Sequence, residues 1–103
     1  MPVTDLFRAL GDPYRLEMVK RVSKGGYNTI NTLSQGLDIS RQGARKHLQI
    51  LVDSNLIILE TKGRETTVHL NRKELKKGST FLQELEKKWD LRLEALRRTL
   101  ENE

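Results

Sequence analysis

The chain has 103 residues, which suits one compact domain with a modest core and is too short for two. It contains no cysteine, so disulfides, thiolate metal sites and a cysteine nucleophile are excluded, and any metal chemistry would have to rest on His47, His69 and carboxylates. Nineteen Lys and Arg against 14 Asp and Glu give a formal net charge of +5, the sign expected of a nucleic-acid binder, and the excess lies in residues 1–80 (14 basic, 8 acidic) rather than 81–103 (5 basic, 6 acidic).

The N-terminal stretch MPVTDLFRALGD lacks a basic segment followed by an apolar run, and nowhere do about eighteen apolar residues follow one another. A cytoplasmic protein with no membrane partner is expected. Leu6, Phe7 and Leu10 predict a short amphipathic helix over 4–10 with Thr4 as its N-cap. Asp12-Pro13 restarts the chain as a second helix, with Asp12 capping, Pro13 in the first turn, and Leu16, Val19 and Val22 as its buried stripe. Gly25-Gly26 stops it. Asn28 or Thr29 then caps a third helix reaching Gly36, with Ile30, Leu33 and Leu37 on one side. Residues 36–39 form a tight turn, and Ser40 caps a fourth helix that runs to about Asn55, where Asn can take the left-handed conformation. Residues 57–62 and 66–70 are rich in β-branched residues and flank Gly63-Arg64-Glu65, which predicts a hairpin. A polar, basic connector over 71–78 leads into a last helix over 79–101. There Leu82, Leu85, Trp89, Leu93, Leu96 and Leu100 recur in five steps over 18 residues, or 3.6 per step.

Two short helices joined by a tight turn and followed by a hairpin predict a mainly α fold with a small β wing, a winged helix-turn-helix. The helix-turn-helix spans 28–55 and the wing 57–70. In the fourth helix Ala44, Leu48, Leu51 and Val52 face inward, leaving Arg41, Gln42, Arg45, Lys46 and Gln49 outward, with no acid between Ser40 and Val52. Arginine pairs bidentately with guanine and glutamine with adenine, so Arg41, Gln42 and Arg45 are the candidate base readers, while Ser40 and Lys46 suit phosphates. Lys62 and Arg64 at the wing tip can reach a phosphate or the neighbouring minor groove. Gly43 is costly inside a helix, by about 1 kcal/mol relative to Ala. It marks a close approach to the third helix or to the DNA backbone.

The segments FRALGDPYRLEMVKRV, SRQGARKHLQILVDSNLI and KGRETTVHL resemble the ArsR/SmtB family of transcriptional regulators over most of the chain. The resemblance implies a homodimeric winged helix-turn-helix, usually a repressor released from its operator by metal ions or other signals, with residues 40–49 opening the recognition helix. The metal-sensing members use cysteine or clustered histidine and carboxylate ligands, which this sequence lacks. The run LEKKWDLRLEALRRTL is similar to members with no recognised metal site. No metal, no cofactor and no catalytic site are therefore expected, and a small-molecule or other effector stays unidentified.

Leu6, Phe7 and Leu10 with Leu82, Leu85, Trp89, Leu93 and Leu96 supply more apolar surface than so small a chain buries alone, which predicts a homodimer through the first and last helices. His47 reads as a packing or phosphate-contacting residue. A zinc site from His69 with Asp90 or Glu94 lacks converging ligands. Two other readings remain beside a sequence-specific DNA-binding regulator: a winged helix used for protein contact, and sequence-neutral DNA compaction driven by the net charge.

Overall fold

The computed structural model describes residues 2–102. Its elements in chain order are α1 (Pro2–Leu10), α2 (Pro13–Ser23), α3 (Ile30–Ser34), α4 (Arg41–Asp53), β1 (Ile57–Lys62), β2 (Glu65–Leu70) and α5 (Arg72–Glu101). No helix among the described residues is long and apolar enough to cross a membrane.

Local chemistry sets most of the boundaries. The Asp12 carboxylate accepts from the Tyr14 and Arg15 amides (2.8 and 3.1 Å), two of the donors that have no partner within a helix, and Pro13 fills the position that needs none. Thr29, not Asn28, caps α3. Its hydroxyl accepts from the Thr32 amide while the Thr32 hydroxyl accepts from the Thr29 amide, a reciprocal capping box. Ser40 caps α4 by accepting from the Gly43 amide at 3.0 Å. At the other end Asn55 takes φ 65°, and the Leu56 and Asn55 amides donate to the Leu51 and Val52 carbonyls, the paired bonds of a Schellman motif.

The strands pair antiparallel from Ile57 opposite Leu70 to Lys62 opposite Glu65. Glu65 thus belongs to β2, and the turn is Gly63-Arg64 alone. Gly63 at φ 62° supplies the positive dihedral that the first position of a tight type II′ hairpin demands.

The core lies where α1, α2, α3, α4 and the base of the wing converge, around Leu6, Met18, Leu33, Leu51, Leu56 and Ile57. Several sequence expectations fail here. Thr4 is not an N-cap, because α1 begins two residues earlier. Leu16 is 47% exposed and Met18 takes its place in the core, beside Val19 and Val22. α3 and α4 end earlier than expected, at Ser34 and Asp53. The connector over 71–78 is not a loop. α5 starts at Arg72, seven residues before the expected start, and its first turns pack on α1. The reason is Gly78, which is buried against Leu6 and Phe7 and lets the two helix backbones approach. Leu6 is consequently 1% exposed within the protomer, so its side chain belongs to the core and not to a dimer surface.

Candidate nucleic-acid interface

α4 presents two faces because its apolar residues fall at helical spacing. Ala44, Leu48 and Leu51 are buried, and Val52 is half-buried. Arg41, Gln42, Arg45, Lys46 and Gln49 all lie exposed on the other side. The ion pairs among the described residues lie elsewhere, so the Arg41, Arg45 and Lys46 cations have no carboxylate partner. Gln49 differs from its neighbours. Its amide nitrogen donates to Asp53 Oδ1 at 2.8 Å, which orients the side chain and leaves its second N–H and its carbonyl oxygen to contact other groups.

Ser40 sits at the start of the same face with its hydroxyl engaged by the Gly43 amide. A β-carbon at position 43 would stand 3.2 Å from that hydroxyl oxygen. The glycine therefore sits against the cap of its own helix, and no atom of α3 comes within 4 Å of a β-carbon there, contrary to the approach to α3 expected from the sequence. Arg64 lies at the wing tip and is exposed. Lys62 is exposed too, with its Nζ 3.1 Å from Glu60 Oε1. A solvated pair of this kind contributes at most about 1 kcal/mol, so it leaves the ammonium available to a phosphate.

Sequence reading missed the polar residues that α3 brings to the site. Asn31, Ser34 and Gln35 line one wall of a cleft whose other wall includes Ser40 and Arg41. The signal was present, since the first helix of a helix-turn-helix crosses the DNA backbone and Asn31 falls on the side of α3 opposite the buried Leu33. Sequence reading also missed two arginines of α2 that hold the unit in shape. Arg21 Nη1 donates to the carbonyls of Leu33 (2.9 Å) and Gln35 (2.6 Å), which closes the C-terminal end of α3. Arg15 donates to the carbonyls of Ala9 (2.7 Å) and Arg8 (3.3 Å), closing α1 in the same way.

His47 lies between α4 and the start of α2, half-buried, with the Tyr14 ring 5.6 Å from its own. Near it, burial pushes the Asp12 carboxyl up, but the amides of Arg15 and Tyr14, helped by the charge of Arg15, outweigh it and hold Asp12 below its ordinary value. His69 Nε2 lies 2.8 Å from the Thr67 hydroxyl. Among the described residues no three His, Asp or Glu gather as a metal site would require.

The second surface lies on α5. Leu82, Leu85, Leu93 and Leu96 are all exposed, as is Trp89 at 59%, and they form one stripe on a helix that projects from a molecule 70 Å long. Phe81, which the sequence reading left out, stands at the base of this stripe with its ring 5.9 Å from that of Phe7. Phe7 and Leu10 are half-buried on α1.

Comparison with known proteins gives a consistent placement. Residues 10–60 match a helix-turn-helix domain family. The arsenical resistance operon repressor of Bacillus subtilis is 35% identical over 69 residues, 67% of this chain and 66% of the repressor, just under two thirds of its length. An ArsR-like transcriptional regulator from Rhodococcus sp. RHA1 superposes with a TM-score of 0.80 at 29% identity, over 94% of this chain and 91% of that one. A homodimeric winged helix-turn-helix DNA-binding domain from Mycobacterium bovis shares the fold at 13% identity, with a TM-score of 0.65 over 86% of this chain and 82% of that one. The motifs, the fold and these likenesses agree: the chain belongs to the ArsR family of winged helix-turn-helix transcriptional regulators.

Proposed function

We propose that the protein is a sequence-specific, double-stranded DNA-binding repressor that acts in the cytoplasm as a homodimer on a palindromic operator. The observation that carries this reading is the outer face of α4, where three cations and Gln42 stand exposed, with no acidic residue between Ser40 and Val52. In this reading the unit 28–55 and the wing 57–70 form the DNA-reading head. Arg41, Gln42 and Arg45 read bases in the major groove, while Ser40, Lys46, Gln49, Lys62 and Arg64 hold phosphates. Phe7, Leu10 and the α5 stripe join two copies about a two-fold axis, which sets the recognition helices about one DNA turn, ~34 Å, apart. Binding at a promoter then excludes polymerase, and an effector that prefers the free form would release it. The family relatives are transcriptional regulators, and the polar groups of this face suit recognition, so we read the chain as a binding protein and not an enzyme.

The test is selection of duplexes from a random pool by the purified protein at moderate salt, followed by sequencing of the retained fraction. An enriched inverted repeat is the expected result. Retention without any enriched sequence would replace this reading by DNA compaction, and no retention at all by a protein-contact role.

A further inference from the structure

The first turn of α2 touches three other parts of the fold at once. Arg15 donates through Nε and Nη2 to the Ala9 and Arg8 carbonyls in the last turn of α1, where the Arg8 carbonyl also accepts from the Gly11 amide at 3.2 Å. The remaining nitrogen, Nη1, lies 3.1 Å from His47 Nδ1 in the middle of α4. A guanidinium only donates and does not lose its proton, so Nδ1 must be the acceptor and a neutral His47 must carry its proton on Nε2. Asp12 Oδ1 stands 3.8 Å from the same Nδ1, beyond hydrogen-bond reach. Tyr14 completes the cluster. Its ring lies against the imidazole, and its hydroxyl donates to the Asp38 carbonyl (3.3 Å) in the turn that leads into α4.

Capping α1 would occupy only two of the guanidinium's nitrogens. The third is aimed across the fold at a side chain of the helix that carries the base-reading residues. We infer that Arg15 is a positioning residue for DNA recognition, fixing the rotation of α4 relative to α1 through the His47 Nδ1 acceptor. This rests on the proposed reading of the protein as a dimeric DNA binder. Because α1 belongs to the proposed subunit contact, the pose of α4 is referred to the dimer as well as to its own core, and dimerisation and base reading become coupled through one side chain.

Asparagine and glutamine at position 47 separate this role from simple packing. The Asn carbonyl oxygen falls near the place of imidazole Nδ1, whereas the Gln carbonyl reaches one bond further, toward the place of Nε2. Glutamine is the better helix former, so helix propensity works against the expected order. Dissociation constants of wild type, His47→Asn, His47→Gln and Arg15→Lys are to be measured on the selected operator and on a scrambled duplex in the same buffer, with thermal unfolding as the check of folding. We expect His47→Asn to keep the operator-to-scrambled preference, and His47→Gln and Arg15→Lys to lose about tenfold of it, the scale of one charge-assisted hydrogen bond. Scrambled-duplex affinity should stay unchanged in all four proteins.

A nitrogen-15 spectrum of the wild-type imidazole at alkaline pH gives a second readout that no folding defect can obscure. Protonated Nε2 with bare Nδ1 is expected. A proton on Nδ1, or equal operator preference in the Asn and Gln variants, overturns the inference. A wild-type protein with no operator preference would remove the DNA reading itself, a different outcome, and the imidazole spectrum would still report whether His47 Nδ1 is free of a proton, as acceptance from Arg15 requires.

Discussion

The crossing of α1 and α5 gives the most exacting test of the packing. A β-carbon at Gly78 would stand 2.6 Å from Leu6 Cδ2 and 3.6 Å from Phe7 Cζ. Carbon atoms prefer about 3.5–4.0 Å, so Gly78→Ala leaves a shortfall of roughly an ångström at Leu6. Leu6 is buried, with no open side into which its methyl can swing. Two effects then oppose each other. Alanine gains about 1 kcal/mol of helix propensity over glycine, and overpacking a filled core costs about 1–3 kcal/mol, so a net loss of about 1 kcal/mol is expected. Leu6→Val removes the obstructing methyl and costs about 1 kcal/mol by itself. In that background Gly78→Ala has room and should stabilise by about 1 kcal/mol, a swing of about 2 kcal/mol between the two backgrounds. Urea unfolding of the four proteins at one fixed protein concentration measures this cycle. The same gain from Gly78→Ala in both backgrounds would refute the close approach, and with it the explanation of why α5 starts so early.

Four further outcomes follow from the site and its supports. Arg45→Ala should lower affinity for the operator and leave scrambled DNA nearly unaffected, whereas Arg64→Ala should weaken both alike; filter binding on the two duplexes distinguishes them. Trp89→Ala should leave the protomer's fold intact, since the ring is 59% exposed, yet weaken the dimer by about 3 kcal/mol if that ring fills a packed contact, which sedimentation equilibrium reads directly. Asp12→Ala should cost about 1 kcal/mol at neutral pH and Asp12→Asn less, because Asn also caps helices. Since the folded Asp12 carboxyl lies below its ordinary value, its stabilisation is complete above that value and fades as pH falls from about 3.8 through the folded value; the gap between wild type and Asp12→Asn should narrow over that acid window in urea titrations. Arg21→Met keeps the aliphatic stem but frees the Leu33 and Gln35 carbonyls, so a loss of about 2 kcal/mol is expected, with faster amide exchange localised to α3.

Where local chemistry decides, the sequence was readable. Asp12 before Pro13, Ser40 before the acid-free run, Asn55 after the last turn of α4 and Gly63 in the hairpin each act through their own dihedrals and their own hydrogen bonds, and each does what its residue type suggests. Failures came where distant packing decides. Leu16 shares a three-residue spacing with Val19 and Val22, but the buried stripe centres between Val22 and Arg15, and Leu16 falls roughly 110° of arc away. Arg15 faces inward at the middle of that stripe, which was the available clue that it has a structural task. Residues 71–78 looked like a connector because they are polar and hold a glycine. Yet Glu, Leu and Lys favour helix, and Gly78 is tolerated because α1 passes directly over it. Thr4 could not be told from a cap without knowing that the helix begins at Pro2.

α5 serves two surfaces, and its continuity links them. The first two turns belong to the protomer, where Glu74 is buried against its Lys77 partner at 3.0 Å and Gly78 meets α1. Beyond Phe81, whose ring packs on Phe7, the apolar stripe from Leu82 to Leu100 lies exposed. A helix rises 1.5 Å per residue, so Leu100 lies about 33 Å beyond Gly78, and a tilt of roughly 10° at the crossing would carry it about 6 Å sideways. That displacement exceeds the width of a side-chain contact. The fit of Leu6 over Gly78 therefore aims the stripe, and through the proposed two-fold contact it also sets how far apart the two copies of α4 stand. The same α1 is held in its last turn by Arg15, which reaches His47 on α4. The carbonyls that Arg15 holds, of Arg8 and Ala9, thus lie between the proposed subunit-contact residues Phe7 and Leu10, so one short helix of nine residues can relate dimer geometry to base recognition.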